Sequence, residues 1–232
     1  MKKITINLSY YNQVDVLRRH ITGWESWSKD LLDQFSFCIV DDCSKVKASD
    51  IAKNIGYSNI DLSVYRVEKD LYCNIAGVRN LAAQQCNTDW MMIIDMDTVV
   101  SQELAESLPM YADTSEGTCF KFNRRVIQDP DHIKHNKYHP AVCMIRVSDY
   151  WKVGGCEEDL VGNYGYTDPS FWYRAKGVLS VRTLSDLYLD YVPAGEADIN
   201  RDTENNQKLF HNKQQTNDWS TDFIRFPWSK EI

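Results

Sequence analysis

No apolar run in the chain approaches the ~18 residues of a membrane-spanning helix, and the amino-terminal MKKITINLSYY is too short and polar for a secretory leader. No tract rich in Gly and Ser, or in Pro, interrupts the 232 residues, and neither an internal repeat nor a low-complexity stretch is present. A single domain over residues 1–232 is therefore expected. Basic residues are few. The 26 Lys and Arg face 33 acidic residues, giving a net charge of −7, and they form no stripe, which argues against a nucleic-acid partner. Seven cysteines (Cys38, Cys43, Cys73, Cys86, Cys119, Cys143 and Cys156) are odd in number and include no Cys-x-x-Cys pair. That excludes an obvious zinc site or disulfide framework and points to reduced thiols in a soluble, cytoplasmic protein.

What the chain does have is a 43% hydrophobic content, enough for a substantial core, and strands that end in carboxylates. Trp90 to Ile94 is an uninterrupted apolar run that passes directly into Asp95-Met96-Asp97. So short a run suits a strand buried on both faces of a parallel sheet. Its carboxylates then lie at the carboxyl edge, where open α/β sheets bind ligands. Two carboxylates one residue apart can hold a hard divalent cation, and that cation can clamp a diphosphate. Asp accounts for 23 of 232 residues, so chance alone gives roughly two Asp-x-Asp triplets. Two are present, and the other, Asp129-Pro130-Asp131, sits in a polar segment and reads as a turn. Only Asp95 and Asp97 follow a buried strand.

The alternation of elements agrees. Ile4 to Leu8 reads as a strand. Val14, Leu17, Ile21, Trp24, Trp27 and Leu31 form one helical stripe ending near Asp33, with both tryptophans in the core. Phe35 to Val40 is a second strand delivering Asp41 and Asp42. A helix over 48–55, a strand over 62–67 and a helix over about 74–86 complete a series of βαβ units, which predicts a mostly parallel sheet. Beyond Asp97 come a helix over about 102–111, strands over 118–122 and 141–147, and a polar segment with His132, His135 and His139. A loop around Gly162 and Gly165 could form a sugar-binding wall or ordinary turns. Asp168-Pro169 reads as helix N-cap and first helical position, one or two strands fill 178–192, a polar helix with His211 covers 202–215, and an aromatic tail packs back.

Four stretches carry a family likeness: Ser9-Tyr10-Tyr11-Asn12-Gln13, Val40-Asp41-Asp42-Cys43-Ser44, Gly77-Val78-Arg79-Asn80 leading to Asp95-Met96-Asp97, and Gly154 to Asp159 running on to Gly165-Tyr166-Thr167-Asp168. In these the chain resembles the GT-A glycosyltransferases, family-2-like, with a C-terminal half similar to that of galactosyltransferases. The resemblance implies a Rossmann-like GT-A fold with a nucleotide-binding half (1–100) and an acceptor half (101–232). It implies a hexosyl transfer that needs Mn²⁺ or Mg²⁺. The sugar passes from a nucleotide-sugar donor, UDP-linked rather than GDP-linked, to a saccharide or other hydroxyl acceptor, with inversion. By position, Ser9, Tyr11, Asn12, Asp41 and Asp42 would contact the nucleoside, Arg79 the diphosphate or metal loop, and Asp95 and Asp97 the ribose and metal. Late in the chain His211 would complete the metal shell, with His135 and His139 as competitors. Asp168 would be the general base, with Asp159 as fallback, and Tyr166 and Trp172 would line the acceptor site.

Two positions depart from the family pattern. Cys43 stands where Gly is usual, so a left-handed turn there would be strained, and Thr167-Asp168 stands where an acidic pair is usual. Two rival readings remain. A haloacid-dehalogenase-type phosphatase would use Asp95 as nucleophile but lacks the Gly-Thr that should follow the second Asp. A non-catalytic nucleotide-sugar-binding protein would leave Asp168 dispensable.

Overall fold

The computed structural model describes residues 3–113, 116–126, 137–192 and 200–232. The first part of the chain runs β1 (Ile4–Tyr10), α1 (Val14–Glu25), α2 (Lys29–Leu32), β2 (Phe35–Asp41), α3 (Ala48–Ile55), β3 (Leu62–Val67), α4 (Ile75–Gln84) and β4 (Trp90–Ile94). After it come β5 (Thr98–Val99), α5 (Gln102–Ala112), β6 (Thr118–Val126), β7 (Lys137–Arg146), α6 (Val147–Val153), α7 (Thr167–Val178), β8 (Ser180–Tyr191), α8 (Glu204–Thr216) and β9 (Trp228–Lys230).

All nine strands join one sheet in the order β5-β8-β6-β7-β4-β1-β2-β3-β9. The block β4-β1-β2-β3 is parallel, as the βαβ rhythm predicts. The remainder corrects the expectation of a mostly parallel sheet. β7 runs antiparallel to both β4 and β6, β5 to β8, and β9 to β3, leaving β6 and β8 as a further parallel pair. The sheet is therefore mixed, and the change of direction falls beside β4, where the ligand edge opens.

Burial explains the strands. Every residue of β2 and β4 is buried, because helices cover both faces of that part of the sheet. The expected single stripe from Val14 to Leu31 breaks into α1 and α2 around Ser26, whose hydroxyl donates to Gly23 O (2.7 Å), yet Trp24 and Trp27 stay buried against Phe37 as the stripe requires. The tail packs back through β9 and buried Phe226, covering the β3 edge that would otherwise be open. All seven cysteines are free thiols. No helix among the described residues is long and apolar enough to cross a membrane.

Candidate active site

β4 ends in a tight turn that fixes both carboxylates. Thr98 is fully buried; its hydroxyl donates to Asp95 O (2.9 Å) and accepts from Asp95 N (3.1 Å), and its own N–H donates to Asp95 O (3.0 Å). Asp95 and Asp97 thus project from the carboxyl end of β4 into a cleft of about 430 Å³. Ser9 near the end of β1 and Tyr11 and Gln13 of the loop after it line it, as do Asp42 after β2, Cys73 and Asn74 before α4, Arg79 within α4, and Gly165 to Asp168 at the start of α7.

Arg79 joins two of the carboxylates that line the cleft. Its guanidinium is buried and donates to Asp168 Oδ1 (2.6 Å) and to Asp95 Oδ1 (2.8 Å). Burial works against its charge, but the carboxylates of Asp168 and Asp95 outweigh that and hold it ionised well above its ordinary range. The planar fork suits two acceptors at once. Asp168 is not the N-cap that the Asp-Pro sequence suggests. Tyr166 adopts the left-handed region (φ 63°) after Gly165 (φ 90°), so α7 begins two residues early, at Thr167, and Asp168 lies inside its first turn. There its side chain is free to meet Arg79 instead of capping.

Asp97 meets His139 on β7, Oδ1 to Nε2 at 3.6 Å. Asp95, Asp97 and His139 offer three ligand atoms within 4.8 Å of one another. The buried Asp97 Oδ1 has no hydrogen-bond partner among the described residues, which a cation would supply. Two carboxylates with one imidazole are a donor set that a divalent cation accepts. The N–H groups of Ala141 and Val142 point at His139 Nδ1 (3.2 and 3.3 Å), which places the proton of the neutral ring on Nε2, facing Asp97. In this tautomer Nε2 faces Asp97 from beyond hydrogen-bond distance, and ligation through Nε2 requires that proton to leave. His211, expected in the metal shell, is not in the cluster. It lies exposed on α8, with Nδ1 3.1 Å from Gln214 Oε1 and its ring against Tyr166. His132, His135, Asp129 and Asp131 lie outside the described residues.

The nucleoside end also redistributes its expected residues. Asp41 is fully buried and committed elsewhere: Oδ1 accepts from Ser44 N (2.8 Å), Oδ2 from Ala48 N at the start of α3 (3.0 Å) and from Arg66 (2.6 Å). Asn12 ties the two loops together, accepting from Lys45 N (2.7 Å) and donating its own N–H to Ser44 Oγ (3.1 Å). Neither lines the cleft. Asp42 does, because side chains of successive extended residues point to opposite faces. One of its oxygens accepts from Asn74 N (3.2 Å), and the other is buried without a partner among the described residues, as are both side-chain polar atoms of Asn74. Burial, chiefly, pushes the Asp42 carboxyl up to about 6. Cys43 takes φ 58°, the strained left-handed turn foreseen for that position.

Asp159 is unsuited to act as base. Burial opposes its charge, but Lys213 and Arg225, each 2.7 Å away, hold its carboxyl below the ordinary range. With buried Glu157 and Glu158 it fastens the C-terminal segment, Glu157 to Ser220 and Glu158 to Ile224 N (2.7 Å). The loop after Gly154 is therefore a clasp as far as Asp159, and only from Tyr164 does it reach the cleft. Residues that sequence reasoning missed are Tyr72, Asn74, Tyr191 and Arg201, which line the cleft from segments without a motif. Asn74, at the N-cap position of α4, carried the one readable signal among them.

The profile described as Glycosyl transferase family 2 matches residues 5–178. No curated protein matches. Among solved structures, S. aureus TarS 1–349 in complex with UDP-GlcNAc is similar at a TM-score of 0.66 and 14% identity over 84% of this chain and 60% of that one. A mannosyltransferase from Pyrobaculum calidifontis, in complex with GDP-Man and Mn²⁺, aligns at 0.63 and 13% over 94% and 65%. GalNAc-T7 with UDP, GalNAc and Mn²⁺ aligns at 0.64 and 13% over 84% and 44%. The chain thus spans less than two thirds of the length of each. These likenesses show the fold, a mixed sheet flanked by helices, while the profile spans well over half of the sequence, and on that footing the chain belongs to glycosyl transferase family 2 and has the GT-A fold.

Proposed function

We propose that the chain moves a hexosyl group from a nucleotide-diphosphate sugar, UDP-linked rather than GDP-linked, to an acceptor hydroxyl, with a divalent metal and with inversion at the anomeric carbon. The observation that carries this reading is the single buried guanidinium of Arg79 that joins Asp95, at the expected metal end, to Asp168, at the expected acceptor end. Asp95 and Asp97 would hold Mn²⁺ or Mg²⁺, with His139 beside Asp97. When bound, the cation offsets negative charge on the diphosphate as it leaves.

The remaining steps belong to the chain. Arg79 occupies Asp168 Oδ1 and leaves Oδ2 for the acceptor. The acceptor hydroxyl attacks the anomeric carbon on the face opposite the diphosphate. Its proton passes to Asp168 as the new C–O bond forms, and the bond to the diphosphate oxygen breaks with the electron pair staying on that oxygen. The preference for UDP follows from Asp42 and Asn74. Uracil presents acceptor, donor and acceptor along its imide edge. Turned from their buried positions toward the base, the unpartnered Asp42 oxygen would accept from the central N–H and the unpartnered Asn74 amide would donate to a flanking carbonyl. Guanine presents two adjacent donors and wants both carboxylate oxygens, one of which Asn74 N already uses. Solved relatives bound to UDP-GlcNAc and to GDP-Man support a nucleotide-sugar donor without choosing between these.

The test is Asp168→Asn. The variant should fold, bind donor and metal as before, and lose about 10²- to 10⁴-fold in turnover. Near-normal turnover would remove Asp168 as base, and a product retaining the donor's anomeric configuration would overturn inversion.

A further inference from the structure

β6 carries a charged residue into the layer that it and β7 form with α7. Lys121 is 8% exposed among Cys119, Cys143 and Trp172. Its ammonium sits 3.6 Å from the ring centroid of Tyr138 and 4.3 Å from that of Trp172. Two π faces attract a cation but do not neutralise it, and they leave N–H donors unmatched. Among the described residues no carboxylate pairs with it. Burial, first of all, holds its pKa below the ordinary value, and the neighbouring charge of Lys176 acts the same way, against a weaker pull from Asp168.

The cage adjoins the reaction centre. Trp172 follows Asp168 by four residues on α7, so the two share one helix face with Cβ atoms about 5–6 Å apart. The Trp172 indole N–H donates to Pro140 O (2.6 Å), next to His139. The ammonium therefore lies over two rings, one on α7 four residues after the expected base and one on β7 next to His139. A second cation stands on the same strand: Arg124 stacks over Tyr191 at 5.2 Å, its Nε is buried without a partner, and Tyr191 lines the cleft. In a chain of net charge −7, two cations that no carboxylate among the described residues neutralises, one of them stacked on a ring that lines the cleft, call for an anion.

We propose that the Lys121–Tyr138–Trp172 cage is the anion subsite for the acceptor: the compound that receives the sugar carries a phosphate or carboxylate, which Lys121 pairs with while the hydroxyl is presented to Asp168. This rests on the glycosyl-transfer reading above. The two are separated by working in metal-free buffer without donor, where only the anion subsite is probed.

Matched probes, glycerol 3-phosphate against glycerol and glucuronate against glucose, are titrated at constant ionic strength into the unaltered protein, Lys121→Met and Lys121→Arg, following the Trp172 indole N–H by NMR. In the unaltered protein one charged member should bind about ten- to hundredfold more tightly than its neutral partner and move the Trp172 resonance. Which charged member does so identifies the anion as phosphate or carboxylate. Lys121→Met should lose the preference and Lys121→Arg keep most of it. Equal affinities within both pairs, or an undiminished preference in Lys121→Met, would overturn the proposal. Should Lys121→Met fail to fold, the unaltered protein decides: a Trp172 resonance that responds to no charged probe overturns it as well. Donor binding is measured separately on the unaltered protein with metal, so its failure would remove the transfer reading and leave the anion result standing.

Discussion

Replacing Asp42 with Asn removes a buried charge while keeping an oxygen to accept from the N–H of Asn74. In the folded protein the Asp42 carboxyl titrates at about 6, against 3.8 as its ordinary value. The folded state therefore holds this proton more tightly than the unfolded chain, and the stabilisation it contributes is fully present below pH ~4 and lost as the pH rises through ~6. A separation of about two pKa units corresponds to about 3 kcal/mol once both states are ionised. Asp42→Asn does not bear this pH-dependent loss. Its stability advantage over the unaltered protein should grow from about 1 kcal/mol at pH 4.5 to about 3 kcal/mol at pH 8. For a chain of this length each kcal/mol moves Tm by about 2–4 °C, so the neutral-pH difference is visible by calorimetry and by urea unfolding. The same variant should bind UDP about tenfold or more weakly, since the oxygen available to the uracil N–H becomes part of an amide. A stability difference that is flat with pH, or that shrinks as pH rises, would refute the assignment of Asp42 as a buried, under-solvated acceptor.

Asp97→Ala should abolish Mn²⁺-dependent nucleotide binding by calorimetry, and Asp129→Ala should leave it intact; equal affinities in the two would sink the metal assignment. His139→Ala should weaken Mn²⁺ binding about 10- to 100-fold, while His211→Ala should leave it unchanged. A reversed pair of results would return the third position to α8. At Cys43, φ 58° places a side chain where one costs roughly 1–2 kcal/mol. Cys43→Gly should leave unfolding stability unchanged or slightly raised, because the greater freedom of the unfolded chain offsets part of the relief, and Cys43→Val should lower it by a further ~1 kcal/mol. A Val variant as stable as the unaltered protein would contradict the left-handed turn.

The sequence carried what local pattern can carry. β4 was legible because burial on both faces leaves an unbroken apolar run, and Asp95 and Asp97 follow from where that run stops. The helix over 48–55 and the strand over 62–67 agree with α3 and β3. The antiparallel partners were not legible, since β7 lies between β4 and β6 through long-range register rather than local pattern. For the same reason the choice among histidines was open: β7 begins at Lys137, four residues before the apolar run starts at Ala141, and only that longer strand brings His139 beside Asp97. Asp41 and Asp42 are chemically identical in sequence, and which faces the cleft depends on a one-residue alternation that β2 settles by extending through Asp41. Asp168 looked like a cap because Asp-Pro is a good cap pair, but the left-handed residues ahead of it start the helix early, and Arg79 takes its carboxylate.

The claim that the cleft at the end of β4 is a metal-dependent nucleotide-sugar site is tested most directly by thermal unfolding against a panel of UDP- and GDP-sugars, with and without Mn²⁺. A ligand at 100 times its Kd should raise stability by about 2.7 kcal/mol. The account predicts that shift for a UDP-sugar in the presence of Mn²⁺, its loss on adding a chelator, and its absence in Asp97→Ala. No shift with any nucleotide sugar in either metal condition would contradict it.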